Sequence, residues 1–146
     1  PIVTELARMP SPRVDPAHRA FSVAQILVQT VERSGSDTLA AAALEESRAF
    51  VESYPRSDFV PQAMILIGHL LARDGQYEEA ANYLAVVVIA WQDHPDWAPA
   101  ALRLGRLYAN ELRDRERASI VLRAIVERAP ESAEAEEAMP ILDRIE

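Results

Sequence analysis

The sequence predicts an all-α chain of stacked helical hairpins, about three of them followed by a capping helix. Three observations predict it. Apolar residues recur on a helical period through most of the chain. Turn and breaker residues recur at a spacing of 40, from Gly35 to Gly75 and from Pro55 to Pro95. Only four glycines occur in 146 residues, which disfavours a sheet-rich fold with many tight turns. A fixed period of this length marks supersecondary units that bury their apolar faces by stacking on the next copy.

Residues 1–14 contain Pro1, Pro10 and Pro12 with little periodicity, and read as an extended lead-in or linker. The repeat domain is expected over 15–146, with units at about 15–55, 56–95 and 96–130 and a cap over 131–146. Asp15-Pro16 is a helix start, with aspartate as cap and proline at the first helical position. Ala20, Phe21, Ala24, Leu27, Val28 and Val31 then mark a helix to about Arg33. After the turn Ser34-Gly35-Ser36-Asp37, Leu39, Ala40, Ala43, Leu44, Phe50 and Val51 mark a second, ending at Tyr54-Pro55.

The central stretch, Pro61 to Pro95, is the clearest hairpin. Ala63, Met64, Ile67, Leu70, Leu71 and Ala72 carry helical spacing, and Gly75 suits the left-handed residue that closes a helix. Tyr77, Ala80, Ala81, Leu84, Val87, Val88 and Trp91 restart the period, and His94-Pro95 is expected to stop it. Glu78 and Glu79 complement the exposed N–H groups of the first turn. The apolar run Tyr83–Trp91 is far shorter than the roughly 20 residues a membrane span needs, so it reads as a buried helix.

In the third unit, Leu104-Gly105-Arg106-Leu107-Tyr108 stands where Ile67-Gly68-His69-Leu70-Leu71 stood. Its second helix, Arg115 to Ala129, carries Ala118, Val121, Leu122 and Ile125 before Pro130. Ala135, Ala138, Ile141, Leu142 and Ile145 form the inward face of the cap, with glutamates outward, and Pro140 predicts a kink or break inside it.

These residues resemble tetratricopeptide repeats over about 17–145. The resemblance rests on Ile67-Gly68, Gly75-Gln76-Tyr77-Glu78-Glu79-Ala80, Leu84 and Pro95, and on Leu104-Gly105, Tyr108, Ala118, Leu122 and Pro130. It implies a right-handed α-solenoid in which Gly68 and Gly105 let neighbouring helices approach closely. The first unit departs from it, with Val28 where the mid-helix glycine belongs, and Leu112-Arg113-Asp114 replaces the glycine turn in the third. The junctions Tyr54-Pro55-Arg56-Ser57 and Ala129-Pro130-Glu131-Ser132 resemble those of bacterial envelope members of the family. That resemblance leans towards the bacterial periplasm and leaves the cytoplasm open.

Such repeats, as a family, bind peptides or partner helices in the groove lined by each unit's first helix. By that resemblance the groove residues here are Gln25, Gln29 and Arg33, then Gln62, Ile65, His69 and Arg73, then Leu102, Arg106 and Asn110. Each set is spaced by three or four and shares a helix face. The stripe is amide-rich and mildly basic, which favours a protein or peptide segment with acidic groups. The lysine-and-asparagine clamp of chaperone-binding relatives is not matched. A different use is self-association: Val86 and Ile89 leave the central helix apolar nearly all round, which points to a homodimer or an oligomerisation module.

The remaining chemistry is sparse. The net charge is −8 and all 15 basic residues are arginine, a balance that disfavours nucleic-acid and anionic-membrane binding. Arg113, Arg115, Arg117, Arg123 and Arg128 interleave with acids and read as an ion-paired face. There is no cysteine for a disulfide, nucleophile or metal site. His18, His69 and His94 stand in no metal motif, and the glycines and lysine of nucleotide-binding loops are missing. The sequence therefore reads as non-catalytic, without cofactor or metal.

Overall fold

The computed structural model describes residues 15–146; the lead-in expected over 1–14 lies outside them. Among the described residues there are seven α-helices and no strand. Three hairpins follow one another: α1 (Pro16–Ser34) with α2 (Asp37–Ser53), α3 (Val60–Arg73) with α4 (Tyr77–Ala90), and α5 (Trp97–Arg106) with α6 (Arg115–Arg128). α5 continues into a π-helical turn, Leu107–Glu111, and α7 (Ala133–Ile145) closes the stack. Each helix packs on its successor, and the first helices of neighbouring units also meet, α1 with α3 and α5 with α7. This is an all-α helical-repeat solenoid.

The helix ends follow from local chemistry. The Asp15 side chain accepts from the Ala17 N–H at 3.2 Å, with Pro16 at the first helical position. Ser36, Asp114 and Ser132 cap α2, α6 and α7 in the same way. Gly35 and Gly75 take φ of 68° and 80° at the hairpin turns, and Arg113 takes 54° at the third. The three junctions share one conformation: Tyr54, Trp91 and Ala129 have φ, ψ near −129°, 57°; −121°, 54°; and −133°, 57°. In each, the N–H three residues on bonds back to that residue's carbonyl (Ser57 to Tyr54, His94 to Trp91, Ser132 to Ala129).

These junctions correct the repeat spacing. They fall 37 and 38 residues apart, at Tyr54, Trp91 and Ala129, so Pro55 corresponds to Gln92 and not to Pro95. The interval of 40 between Gly35 and Gly75 arises because α2 has 17 residues where α4 and α6 have 14. From Tyr54 to Gly75 is 21 residues and from Trp91 to Arg113 is 22; the π-helical turn absorbs the extra one.

Two helix ends differ from expectation. α4 stops at Ala90, before His94-Pro95, because the Trp97 indole N–H donates to the Val88 carbonyl at 2.9 Å and takes an acceptor that a longer helix would use. α7 runs unbroken through Pro140. The carbonyl that loses its partner there belongs to Glu136, which is exposed, so water can serve it.

The largest core joins α3 to α7 through Ile67, Leu71, Leu84, Leu104, Leu122 and Ile125, all fully buried. The first hairpin docks through two smaller clusters. In one, Phe21 stacks on Phe59 at 4.9 Å and lies 5.8 Å from Phe50. In the other, Val28 packs with Val31, Ala43 and Leu70, and Leu44 stays half-buried where its counterparts Leu84 and Leu122 are fully enclosed. Val28 thus fills space that Gly68 and Gly105 leave to a leucine.

Candidate peptide-binding groove

The groove is built on the exposed sides of α1, α3, α5 and α7. Two depressions of about 220 Å³ each share Pro99. The first is lined by Phe21 and Gln25 of α1, Gln62, Ile65 and Leu66 of α3, and Asp96 beside Pro99. The second lies between α5 and α7, with Leu102, Arg103 and Arg106 facing Ala133, Glu134 and Glu137. Apolar side chains floor both, and amides or charges rim them. The side-chain amides of Gln25 and Gln62 make no hydrogen bond among the described residues.

The structure therefore brings Gln25, Gln62 and Ile65 together in one depression, and Leu102 with Arg106 in the next. Leu102 is only 6 % exposed and belongs mainly to the core. Gln29 and Arg33 are exposed on α1 and line neither depression. Arg73 is drawn back to the first hairpin turn, donating to Asp37 at 3.3 Å and to the Gly35 carbonyl at 3.0 Å. Asn110 sits further along, accepting from Arg144 at 2.7 Å.

His69 holds the centre. Its Nε2 faces Glu32 of α1 at 2.9 Å, and its Nδ1 meets an Arg103 guanidinium nitrogen of α5 at 3.0 Å. A neutral ring with its proton on Nε2 satisfies both, donating to Glu32 and accepting from Arg103. Burial first, and then the Arg103 charge, hold this imidazole below the ordinary histidine pKa, against the opposing effect of Glu32. One side chain thus ties three successive units together across the face.

Sequence reasoning missed Glu32, Arg103 and Glu137, because they belong to the face only through partners about one repeat away, and Glu134, which lines the second depression from the cap. Arg106 pairs with Glu137 at 2.6 Å and Arg48 with Glu79 at 2.7 Å. Arg117 reaches Glu78 at 3.4 Å, and Arg128 donates to Gln92 at 2.7 Å. The only available signal was the interval itself: these pairs are 31 to 39 residues apart. Two arginines also cover aromatic faces, Arg117 over Tyr108 at 4.7 Å and Arg128 over Trp97 at 5.3 Å.

Among the described residues, no three His, Asp or Glu side chains converge as a metal site, and no helix is long and apolar enough to cross a membrane. Residues 99–132, which are most of α5, the π-helical turn, α6 and its junction turn, match the tetratricopeptide repeat family. No curated protein matches the chain. The matched hairpin and the one before it share the junction conformation, the buried glycine–leucine contact and the 14-residue second helix.

Proposed function

We propose that the chain is a non-catalytic scaffold that holds an extended protein or peptide segment across α1, α3, α5 and α7. Tetratricopeptide repeats are generally protein–protein interaction modules, and the match over 99–132 supports a scaffold role. The observation that carries the reading is the pair of depressions joined at Pro99, apolar below and rimmed by the unpaired amides of Gln25 and Gln62. An apolar side chain of the segment enters beside Phe21, Ile65 and Leu66, and the two amides serve its backbone. Acidic groups on the segment meet Arg33, Arg103 and Arg106, competing with Glu137 for the last.

The test is selection of a displayed peptide library on the full chain, followed by binding to Ile65→Arg, which fills the first depression, and Gln62→Ala. Enriched peptides that share an apolar and an acidic position, and lose at least about tenfold affinity on both variants, support the groove. Enriched peptides that bind both variants as tightly as the parent would place recognition elsewhere.

A second reading is self-association through the outer side of α4. It is favoured by Val86 at 43 % and Ile89 at 71 % exposure, two large apolar side chains one turn apart. Light scattering after size exclusion reads this directly: a dimer dispersed by Ile89→Arg supports it, and a monomer at high concentration removes it.

A further inference from the structure

The five arginines that cluster in sequence between Arg113 and Arg128 have different fates in the structure. Arg117 is bound by Asp114 and Glu78, Arg123 by Glu146, which also accepts from the Ser119 hydroxyl, and Arg128 by Gln92. Arg113 and Arg115 make no ion pair or side-chain hydrogen bond among the described residues. Both instead line an open depression of about 460 Å³ together with Arg144, Asn110, Ala109 and Ile145. Arg144 donates to the Asn110 side-chain oxygen at 2.7 Å, which fixes that guanidinium and leaves the Asn110 amide as a further donor.

Arg113 occupies its place against backbone preference. It is the one non-glycine residue with positive φ among the described residues, at 54°. The corresponding turn positions of the first two hairpins are Gly35 and Gly75, where no side chain is strained. A side chain kept where glycine is relaxed points to a use for that side chain.

We propose that this depression is an oxyanion site that takes one compact, phosphate-type group. Three guanidinium groups around one space repel each other until an anion sits between them, and their planar forks match its oxygens. The protein as a whole carries −8, and Glu111, Glu116 and Asp143 are exposed on the adjoining turns. That acidic surround rejects an extended polyanion and admits a small one. The site shares no lining residue with the two groove depressions, so it stands independently of the peptide-binding reading.

The test titrates inorganic phosphate into the full chain at constant ionic strength and follows the arginine Nε–H resonances. Saturable shifts confined to Arg113, Arg115 and Arg144 are expected. Arg113→Gly relaxes the turn, so it folds at least as stably as the parent, yet it weakens phosphate binding by at least about tenfold; Arg115→Gln does the same. Arg19→Gln, an exposed arginine of α1, leaves affinity unchanged. O-phosphoserine binding tighter than phosphate assigns the source to a phosphorylated side chain, and the reverse assigns it to the free ion. No saturable shift, equal affinity in Arg113→Gly, or an equal loss in Arg19→Gln would overturn the site.

Discussion

Replacing Gly105 with alanine tests how closely α5 approaches α6. A Cβ at that position lies 2.5 Å from Leu122 Cδ2 and 2.8 Å from its Cγ, well inside van der Waals contact. Leu122 is fully buried and central to the main core, so it has no open space to move into. Overpacking of this kind costs about 1–3 kcal/mol. Alanine in place of glycine inside a helix returns about 1 kcal/mol. The net expectation is a loss of about 0–2 kcal/mol. Gly68 is a built-in comparison: its Cβ would lie 3.0 Å from Leu84 Cγ and 3.4 Å from the Ala80 carbonyl, so strain and propensity nearly cancel there. Urea unfolding of both variants reads the difference, with Gly105→Ala the less stable of the two. Leu122→Ala alone costs about 2–5 kcal/mol, and in the Gly105→Ala background it costs less, because the clash is gone. A Gly105→Ala protein more stable than the parent by the full helix-propensity gain of about 1 kcal/mol, or additive effects in the double variant, would refute the close approach of α5 and α6.

Three further outcomes follow from the same geometry. His69 has a lowered pKa when folded, so the unfolded chain takes up the proton first; its contribution is complete above about pH 6.5 and is lost as pH falls through the folded value. Urea midpoints between pH 7.5 and 5 therefore fall more steeply in the parent than in His69→Gln, and equal slopes would show that the imidazole is not held neutral. Pro140→Ala restores the bond to Glu136 and stabilises by about 1–3 kcal/mol; no gain would mean that the last turns of α7 contribute little. Trp97→Phe removes the indole bond to Val88 and costs about 1 kcal/mol beyond the small packing change, with amide exchange at Val88–Gln92 slowing if α4 then extends.

Much of the fold was legible because its causes are local. Helical spacing, Asp15-Pro16, Gly35 and Gly75 locate the helices without reference to the rest of the chain. The contacts of Gly68 and Gly105 were legible too, since small residues at matching positions of successive first helices signal close packing. The repeat spacing was misread because proline was taken as the marker. The feature that the three junctions share is a backbone turn, and Gln92 makes it as well as Pro55 and Pro130 do. The extra residue in the third unit was invisible, because a π-helical turn hides an insertion without breaking the helical pattern.

The groove was less legible than the fold. Spacing along one helix places Gln25, Gln62, Ile65 and Leu102 on a common face, but it says nothing about which neighbours reach across. Glu32 and Arg103 meet at His69 from either side, and Glu137 comes from the cap to meet Arg106. Those encounters depend on the rise from one hairpin to the next, a quantity that no single helix encodes. The arginines make the point most clearly: Arg117, Arg123 and Arg128 are ion-paired or hydrogen-bonded as interleaved charge suggests, while Arg113 and Arg115 are not.

Successive hairpins advance along a line, so that the first and last helices are far apart and an elongated face lies between them. The chain has no cysteine, so spin labels can be attached at Gln29→Cys on α1 and Asp143→Cys on α7, both exposed, and their separation measured by pulsed electron resonance. Neighbouring first helices packed at about 10 Å give a distance of roughly 30 Å over three steps. A narrow distribution near that value is expected; a separation below about 15 Å would mean a bundle closed on itself and no elongated face.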